Sequence, residues 1–98
     1  MPTFAYPPTF GKDFALLDPA DKQRFKRKVT EEFVPDLEVV GRFRAGLRVK
    51  GVHGAQGVFE MTWAPDGRAT FEYGEEQIPG KPHVIWRRVG THDVFRSP

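Results

Sequence analysis

The chain has no cysteine and only three histidines in 98 residues. The missing cysteines exclude a disulfide framework, a cysteine-ligated zinc site and a thiol nucleophile. No apolar run approaches the roughly 20 residues that a membrane-spanning helix needs, and residues 1–10 lack the basic and apolar regions of a signal peptide. We therefore expect a cytoplasmic protein that has no membrane partner.

Aromatic residues, in contrast, are abundant. They make up 13% of the chain, and nine of them are phenylalanine. This supply of core material, interleaved with charged residues, predicts a folded chain rather than a disordered one. The length allows one domain, so we expect a single domain over residues 1–98.

Basic residues are distributed in blocks, although 15 Lys and Arg nearly balance 13 Asp and Glu. Separate basic blocks that converge on one surface would bind a polyanion. The block at 22–28 lies on a predicted helix and is interpreted as a solvated face. The blocks at 42–50 and 87–96 adjoin predicted strands, and we interpret the first of these as a binding surface.

The N-terminal third predicts two helices joined by a tight turn. Thr9 is placed to cap the first helix, whose apolar residues Phe10, Phe14 and Leu17 recur at helical spacing. The second helix is expected to begin at Asp18 as its N-cap and to end at Pro35, because proline disfavours helix at the residue before it. Its apolar stripe consists of Phe25, Val29 and Phe33.

From residue 46 the apolar period changes to two, which is typical of strands. The alternating segments are residues 47–50, 58–63 and 68–73, and residues 84–86 are apolar throughout, as in the centre of a sheet. Residues 64–67, between the segments 58–63 and 68–73, have the sequence Ala-Pro-Asp-Gly. This sequence predicts a hairpin turn in which Gly67 adopts a positive φ. A short first strand is expected around residues 4–6. The order β-α-α-β-β-β-β then predicts an α+β fold, in which a helical hairpin packs on one face of a mostly antiparallel sheet of four to five strands.

Strand alternation places a set of charged side chains on the sheet face opposite the large apolar residues. The set includes Arg48 and Lys50, Glu60, and Arg68. Cleavage of RNA without a metal needs a base for the 2′-hydroxyl, cations at the phosphate and an acid for the leaving oxygen. Glu60 or His92 is a candidate base, His92 is also a candidate acid, and the cations would bind the phosphate.

Further basic and aromatic residues would complete such a surface. Either Arg87 or Arg88 is expected to join the phosphate-binding cations, and Phe95 to stack on a base. Two alternatives remain open: Glu60 is an exposed strand residue paired with Arg68, and His92 is an ordinary surface histidine. The histidines at 53, 83 and 92 do not have the spacing of metal ligands, so we expect no metal and no cofactor.

Taken together, these segments resemble the RelE/ParE superfamily of bacterial toxins over nearly the whole chain. The matching stretches are DPADKQRFKRKV, GLRVKGV, GVFEMTWAPDGRATFEYG and HVIWRRVGTHDVFR. The resemblance implies a toxin of a type II toxin–antitoxin system, in its RelE branch an mRNA endoribonuclease that acts on the ribosome and inhibits translation. It also implies a cognate antitoxin, a helix-turn-helix protein or one with an amphipathic tail, and a toxin–antitoxin hetero-oligomer.

The resemblance, together with the basic blocks, gives the candidate site residues. The catalytic residues would be Arg48, Glu60, Arg68 and His92, and the RNA-binding residues would be Arg44, Lys50, Arg87, Arg88, Phe95 and Arg96. Phe95 departs from the pattern, since many active members have tyrosine there. Two alternatives therefore accompany the nuclease: an inhibitor of DNA gyrase, as in the ParE branch, and a catalytically inactive member that binds a protein.

Overall fold

A computed structural model describes residues 2–40 and 42–98. The elements are β1 (Thr3–Ala5), α1 (Pro8–Leu16), α2 (Pro19–Lys28), β2 (Lys50–Gly51), β3 (Val58–Thr62), β4 (Arg68–Gly74) and β5 (His83–Gly90). Short 3₁₀ turns occupy Ala45–Leu47 and His92–Arg96. None of the helices in the described residues has both the length and the apolar character needed to cross a bilayer.

The five strands form one sheet in the order β1-β5-β4-β3-β2. Strand β1 is parallel to β5, and every other neighbouring pair is antiparallel. The α+β architecture and the mostly antiparallel sheet are those predicted from the sequence.

The core lies between the helices and one face of this sheet. Phe10 of α1 and Phe25 of α2 meet Trp86 of β5, with ring centroids 6.3 and 5.5 Å apart. Phe33 and Phe71 are fully buried beside them. Each buried phenylalanine contributes roughly 1.5–3 kcal/mol of hydrophobic stabilisation, so the aromatic stripe fixes α2 across the sheet.

The N-terminal caps match the prediction for α2 but not for α1. The Asp18 side chain accepts a hydrogen bond from the backbone N–H of Asp21 at 2.8 Å, as expected of an N-cap. Helix α1 instead begins at Pro8, with Pro7 as its N-cap and Thr9 already inside the helix. Proline at the first position provides a suitable φ without a side-chain cap.

The prediction that α2 ends at Pro35 was wrong. The chain continues past Pro35 in helical form, with π-helical turns at Val29–Phe33 and Asp36–Val40. Proline lacks an N–H, and its ring clashes with a carbonyl one turn earlier in a regular α-helix. Wider π turns change which groups face one another, so the helix accommodates Pro35.

The first predicted long strand, residues 47–50, is also wrong. The 3₁₀ turn Ala45–Leu47 ends at Arg48, which adopts a left-handed conformation with φ of 50°. Strand β2 then contains only Lys50 and Gly51. Alternation along a strand therefore does not set the direction of the Arg48 side chain.

The outer face of the sheet, opposite the helices, is not open along its whole length, contrary to expectation. The segment of residues 92–98 packs against β4 and β5 and buries Val94. Thr70 of β4 is fully buried, and its hydroxyl donates to the carbonyl of Pro98 at 3.2 Å. Only part of the predicted basic face is accessible.

Candidate active site

The hairpin turn between β3 and β4 forms one end of the sheet. The backbone N–H of Trp63 donates to the Gly67 carbonyl at 3.1 Å, and the backbone N–H of Gly67 donates to the Ala64 carbonyl at 3.0 Å. The expected positive φ at Gly67 was wrong, because the described residues with positive φ are Arg48, Gly54, Gly57 and Gly80. Glycine is required for space instead, since a Cβ there would lie 2.6 Å from the Trp63 ring.

This turn places Asp66 beside His92. Arg68 pairs with Gly90 across β4 and β5, so the turn lies next to the residues that follow β5. The Nδ1 atom of His92 lies 2.9 Å from an Asp66 carboxylate oxygen. The other ring nitrogen, Nε2, lies 3.5 Å from Asp93. Two carboxylates thus flank one imidazole that remains exposed to solvent.

The charges of this pair support each other. The hydrogen bond that His92 donates to Asp66 and the nearby negative charges of Asp66 and Asp93 raise the pKa of His92 above its ordinary value. The hydrogen bond from His92 lowers the pKa of Asp66. Arg68 lies close enough to lower both pKa values electrostatically. The arrangement favours an imidazolium held by a carboxylate, which is a proton donor that works near neutral pH.

Arg68 is anchored to the same turn. Its Nη1 donates to the carbonyls of Ala64, Pro65 and Gly67 at 3.3, 3.2 and 3.0 Å. Its Nε and Nη2 make no hydrogen bond with the described part of the chain. One edge of the guanidinium fixes the turn, and the remaining N–H groups are left to bind an anion.

A surface depression adjoins Arg68 on the side facing α2. We call it the cationic depression, and it is lined by Arg24, Lys28, Gly46, Arg48, Thr62, Trp63, Ala64, Pro65 and Arg68. Arg48 is exposed and forms no ion pair or hydrogen bond through its side chain to any residue in 2–40 or 42–98. The structure therefore brings Arg48 and Arg68 together, through the left-handed turn rather than through strand parity.

Lys50 and Glu60 form a separate pair. They lie opposite each other in the β2–β3 ladder, and the Lys50 Nζ lies 3.9 Å from the Glu60 carboxylate. Neither residue lines the cationic depression. Glu60 lies opposite Thr70, not Arg68, on its other side.

Three arginines from the predicted RNA-binding set donate hydrogen bonds to other residues of the chain. Arg44 binds Asp36 through Nε and Nη2, each at 2.8 Å, and this contact lowers the pKa of Asp36 to about 2. Arg87 donates to Glu72 and to the Pro98 carbonyl. Arg88 donates to Asp13 of α1 and to the Ser97 carbonyl.

A register irregularity explains the positions of the last two arginines. Thr70 pairs with Arg88, but the next residue, Phe71, pairs with Trp86, which leaves Arg87 as an extra residue in β5. Both arginines consequently reach the C-terminal segment. Of the other predicted residues, Phe95 is half-buried, and Arg96 is exposed with its Nη2 3.9 Å from Asp93.

Sequence reasoning missed three residues of this end of the sheet. Asp66 was explained by the turn itself, and no feature of the sequence links it to a histidine 26 residues later. Arg24 and Lys28 belong to the block interpreted as a solvated helix face. The available signal was their spacing of four residues, which places them on one side of α2.

The described residues do not form a candidate metal site. No group of three or more His, Asp or Glu side chains within 2–40 and 42–98 is arranged so that it could hold a metal ion.

Comparison with known proteins identifies the fold. No family profile and no curated protein matches the chain in sequence. Solved structures do match: a histidine-to-glutamine mutant of YafQ from E. coli is 18% identical with a TM-score of 0.69, covering 96% of this chain and 97% of that one. The fold is that of the RelE/ParE-type toxins.

Two more structures extend the RelE/ParE likeness. A YoeB/ParE toxin from Agrobacterium tumefaciens is 9% identical with a TM-score of 0.65, covering 92% of this chain and 98% of that one. The E. coli RelBE toxin–antitoxin complex contains a chain that is 17% identical with a TM-score of 0.59, and the match covers 93% of this chain and 96% of that one. The match therefore spans the whole RelE/ParE fold.

Proposed function

We propose that this protein is the toxin of a toxin–antitoxin pair and that it cleaves RNA at the hairpin-turn end of its sheet. The observation that carries the proposal is the hydrogen-bonded pair of Asp66 and His92 beside the Arg68 guanidinium. Similarity to toxins across nearly the full length of the chain supports the toxin role. The complex of RelB with RelE supports an antitoxin as partner.

The proposed chemistry is an intramolecular transesterification of RNA. The 2′-oxygen loses its proton and forms a bond to the adjacent phosphorus, and the bond from phosphorus to the 5′-oxygen breaks. His92 donates its proton from Nε2 to the departing 5′-oxygen, while Asp66 accepts the Nδ1–H bond and holds the ring in place. Arg68 and Arg48 stabilise the charge that develops on the phosphate.

Glu60 is the proposed base in this scheme. It lies on β3, on the face opposite the core, with the Lys50 ammonium nearby. Glu60 contacts neither Asp66 nor His92. Substitution of Glu60 therefore has to show whether it acts as the base or only pairs with Lys50 in the sheet. Retention of cleavage by Glu60→Gln would assign the residue to the ladder and leave the base to another group.

The function is tested by incubating the purified protein with mRNA, in the presence and absence of translating ribosomes. Cleavage that leaves 2′,3′-cyclic phosphate and 5′-hydroxyl ends is expected, and ribosome dependence is read from the comparison. Intact RNA under both conditions, together with blocked DNA supercoiling by gyrase, would contradict the nuclease and support the inhibitor. Relief of growth arrest by the neighbouring reading frame would identify the antitoxin.

A further inference from the structure

An apolar groove lies between the end of β1 and the two helices. We call it the helix groove; it has a volume of about 450 Å³ and is lined by Tyr6, Phe10, Gly11, Phe14, Ala15, Lys22 and Lys26. The Tyr6 side of the groove is open to solvent, since this residue is 65% exposed. Aromatic surface that faces water is stabilised when an apolar side chain covers it.

The charge at the edge of the helix groove is positive. The ammonium groups of Lys22 and Lys26 lie over the Phe14 ring, 5.9 and 5.6 Å from its centroid. Neither lysine forms an ion pair with a residue in 2–40 or 42–98, and the described lining of the groove contains no acidic residue. A complementary occupant therefore combines an apolar side chain with a carboxylate.

The loop between β4 and β5 carries this combination. We call residues 75–81 the acidic loop, and all of them are exposed. Ile78, near its centre, is 49% exposed. Glu75 and Glu76 precede Ile78, and the one cation of the loop, Lys81, lies at the other end. The Glu75 carboxylate has no partner in the part of the chain that the structure describes.

Hydrogen bonds within the acidic loop fix its shape. The backbone N–H of Lys81 donates to the Ile78 carbonyl at 2.9 Å. Gly80 has a φ of 82° and follows Pro79, as in a type II turn. The Glu76 carboxylate accepts a hydrogen bond from the backbone N–H of Gly80 at 3.2 Å. A loop that is already ordered loses little conformational entropy on binding, which favours association.

We propose that the acidic loop of one copy of this chain docks into the helix groove of a second copy. Ile78 covers the aromatic floor of the groove, and Glu75 pairs with the ammonium groups of Lys22 and Lys26. One short loop covers less than the roughly 1,200–2,000 Å² that a stable interface buries. The inferred assembly is therefore a two-fold dimer, in which each copy both provides a loop and receives one.

The mass of the purified protein in solution tests the dimer. Light scattering coupled to size-exclusion chromatography should show the mass rising from one chain towards two as the concentration increases. Ile78→Ser should weaken the dimer about tenfold or more, because the buried apolar side chain is lost. The matched control is Leu16→Ser, which removes an 86% exposed apolar side chain outside the groove and should leave the dimer unchanged.

Charge reversal tests which surfaces meet. Lys22→Glu/Lys26→Glu reverses the helix groove, and Glu75→Lys reverses the loop while keeping Glu76 for its turn. Each of these two variants should form less dimer than the parent. An equal mixture of the two should form a heterodimer, because each groove then meets a loop of opposite charge.

Three results would overturn the proposal. The first is a mass of one chain at every concentration. The second is equal weakening of the dimer by Ile78→Ser and Leu16→Ser, and the third is a mixture of the charge variants that stays monomeric. The helix groove and the acidic loop include none of the proposed catalytic residues, so a dimeric protein that does not cleave RNA would retain this inference and lose only the nuclease.

Discussion

Two groups of arginines in this protein have opposite surroundings. At the hairpin-turn end of the sheet, Arg48 has no partner among the described residues, and Arg68 uses one nitrogen on its own turn. Towards the C-terminal segment, Arg87 and Arg88 bind carboxylates and main-chain carbonyls. Arginine count alone does not distinguish these groups, but their partners do. We expect the first group to bind an anion and the second to stabilise the fold.

The largest effect at the hairpin-turn end of the sheet is expected from His92→Gln. Removal of a general acid costs about 10²–10⁴-fold in rate, and the side chain is exposed, so the fold should persist. Single-turnover cleavage of RNA by the purified variant measures the loss. His53→Gln is the matched control, because His53 lies exposed in the loop before β3. The His53→Gln protein should cleave RNA at the parental rate. Equal rates for the two variants would rule out His92 as the acid.

Arg48 separates function from backbone strain. We expect Arg48→Gly and Arg48→Ala each to lose about 10²-fold in cleavage, the typical cost of one donor to a developing charge. Glycine adopts the left-handed conformation freely, so the Gly variant should be more stable than the Ala variant by about 1 kcal/mol.

Urea unfolding of the two Arg48 variants provides the stability comparison, and RNA cleavage provides the functional one. Cleavage at the parental rate in both would remove Arg48 from the site, whatever their relative stabilities.

Arg88→Gln tests the second group of arginines. The substitution leaves the largely buried Asp13 carboxylate without its ion pair, at a cost of roughly 1–3 kcal/mol. At temperatures where the variant is still folded, its cleavage rate should equal that of the parent, because Arg88 contacts only groups of its own chain. A double-mutant cycle with Asp13→Asn measures the coupling, and a cleavage defect in a folded Arg88→Gln protein would contradict the division into two groups.

Asp66→Asn should have the smallest effect at acidic pH and a clear effect at alkaline pH. The raised pKa of His92 keeps it protonated above its ordinary value of 6.5, so the alkaline limb of the cleavage profile lies above that value. Loss of the carboxylate should move this limb to lower pH. The stability from this pair is complete between the ordinary pKa values of the two groups, 3.8 for Asp66 and 6.5 for His92. It disappears as the pH rises through the raised pKa of His92 or falls through the lowered pKa of Asp66.

The fold was largely predictable because its signals are local. The cap at Asp18, the stripe of Phe25 and Phe33, and the alternation in β3 and β4 each depend on neighbouring residues. Two local rules gave wrong predictions. The helix continues past Pro35 because π turns accommodate the proline, and Gly67 is required because its neighbour Trp63 leaves no space for a Cβ. The α+β order survived because neither error changes the sequence of elements.

The site was less predictable because its contacts are distant in sequence. Arg88 and Asp13 are 75 residues apart, and His92 and Asp66 are 26 apart, so no pattern of neighbouring residues reveals either pair. Arg48 and Arg68 line the same depression, but a left-handed turn that strand alternation does not describe places Arg48 there, and Lys50 lies outside it. Composition predicted that cations would gather, and only the structure shows which of them retain free donors.

Sequencing of RNA ends after induced expression decides whether this protein cleaves RNA through His92. The parental chain, His92→Gln and Arg88→Gln are compared in the same cells, with their protein levels matched. We expect new RNA ends for the parent and for Arg88→Gln, and none for His92→Gln. New ends with all three proteins, or their loss only with Arg88→Gln, would contradict this expectation.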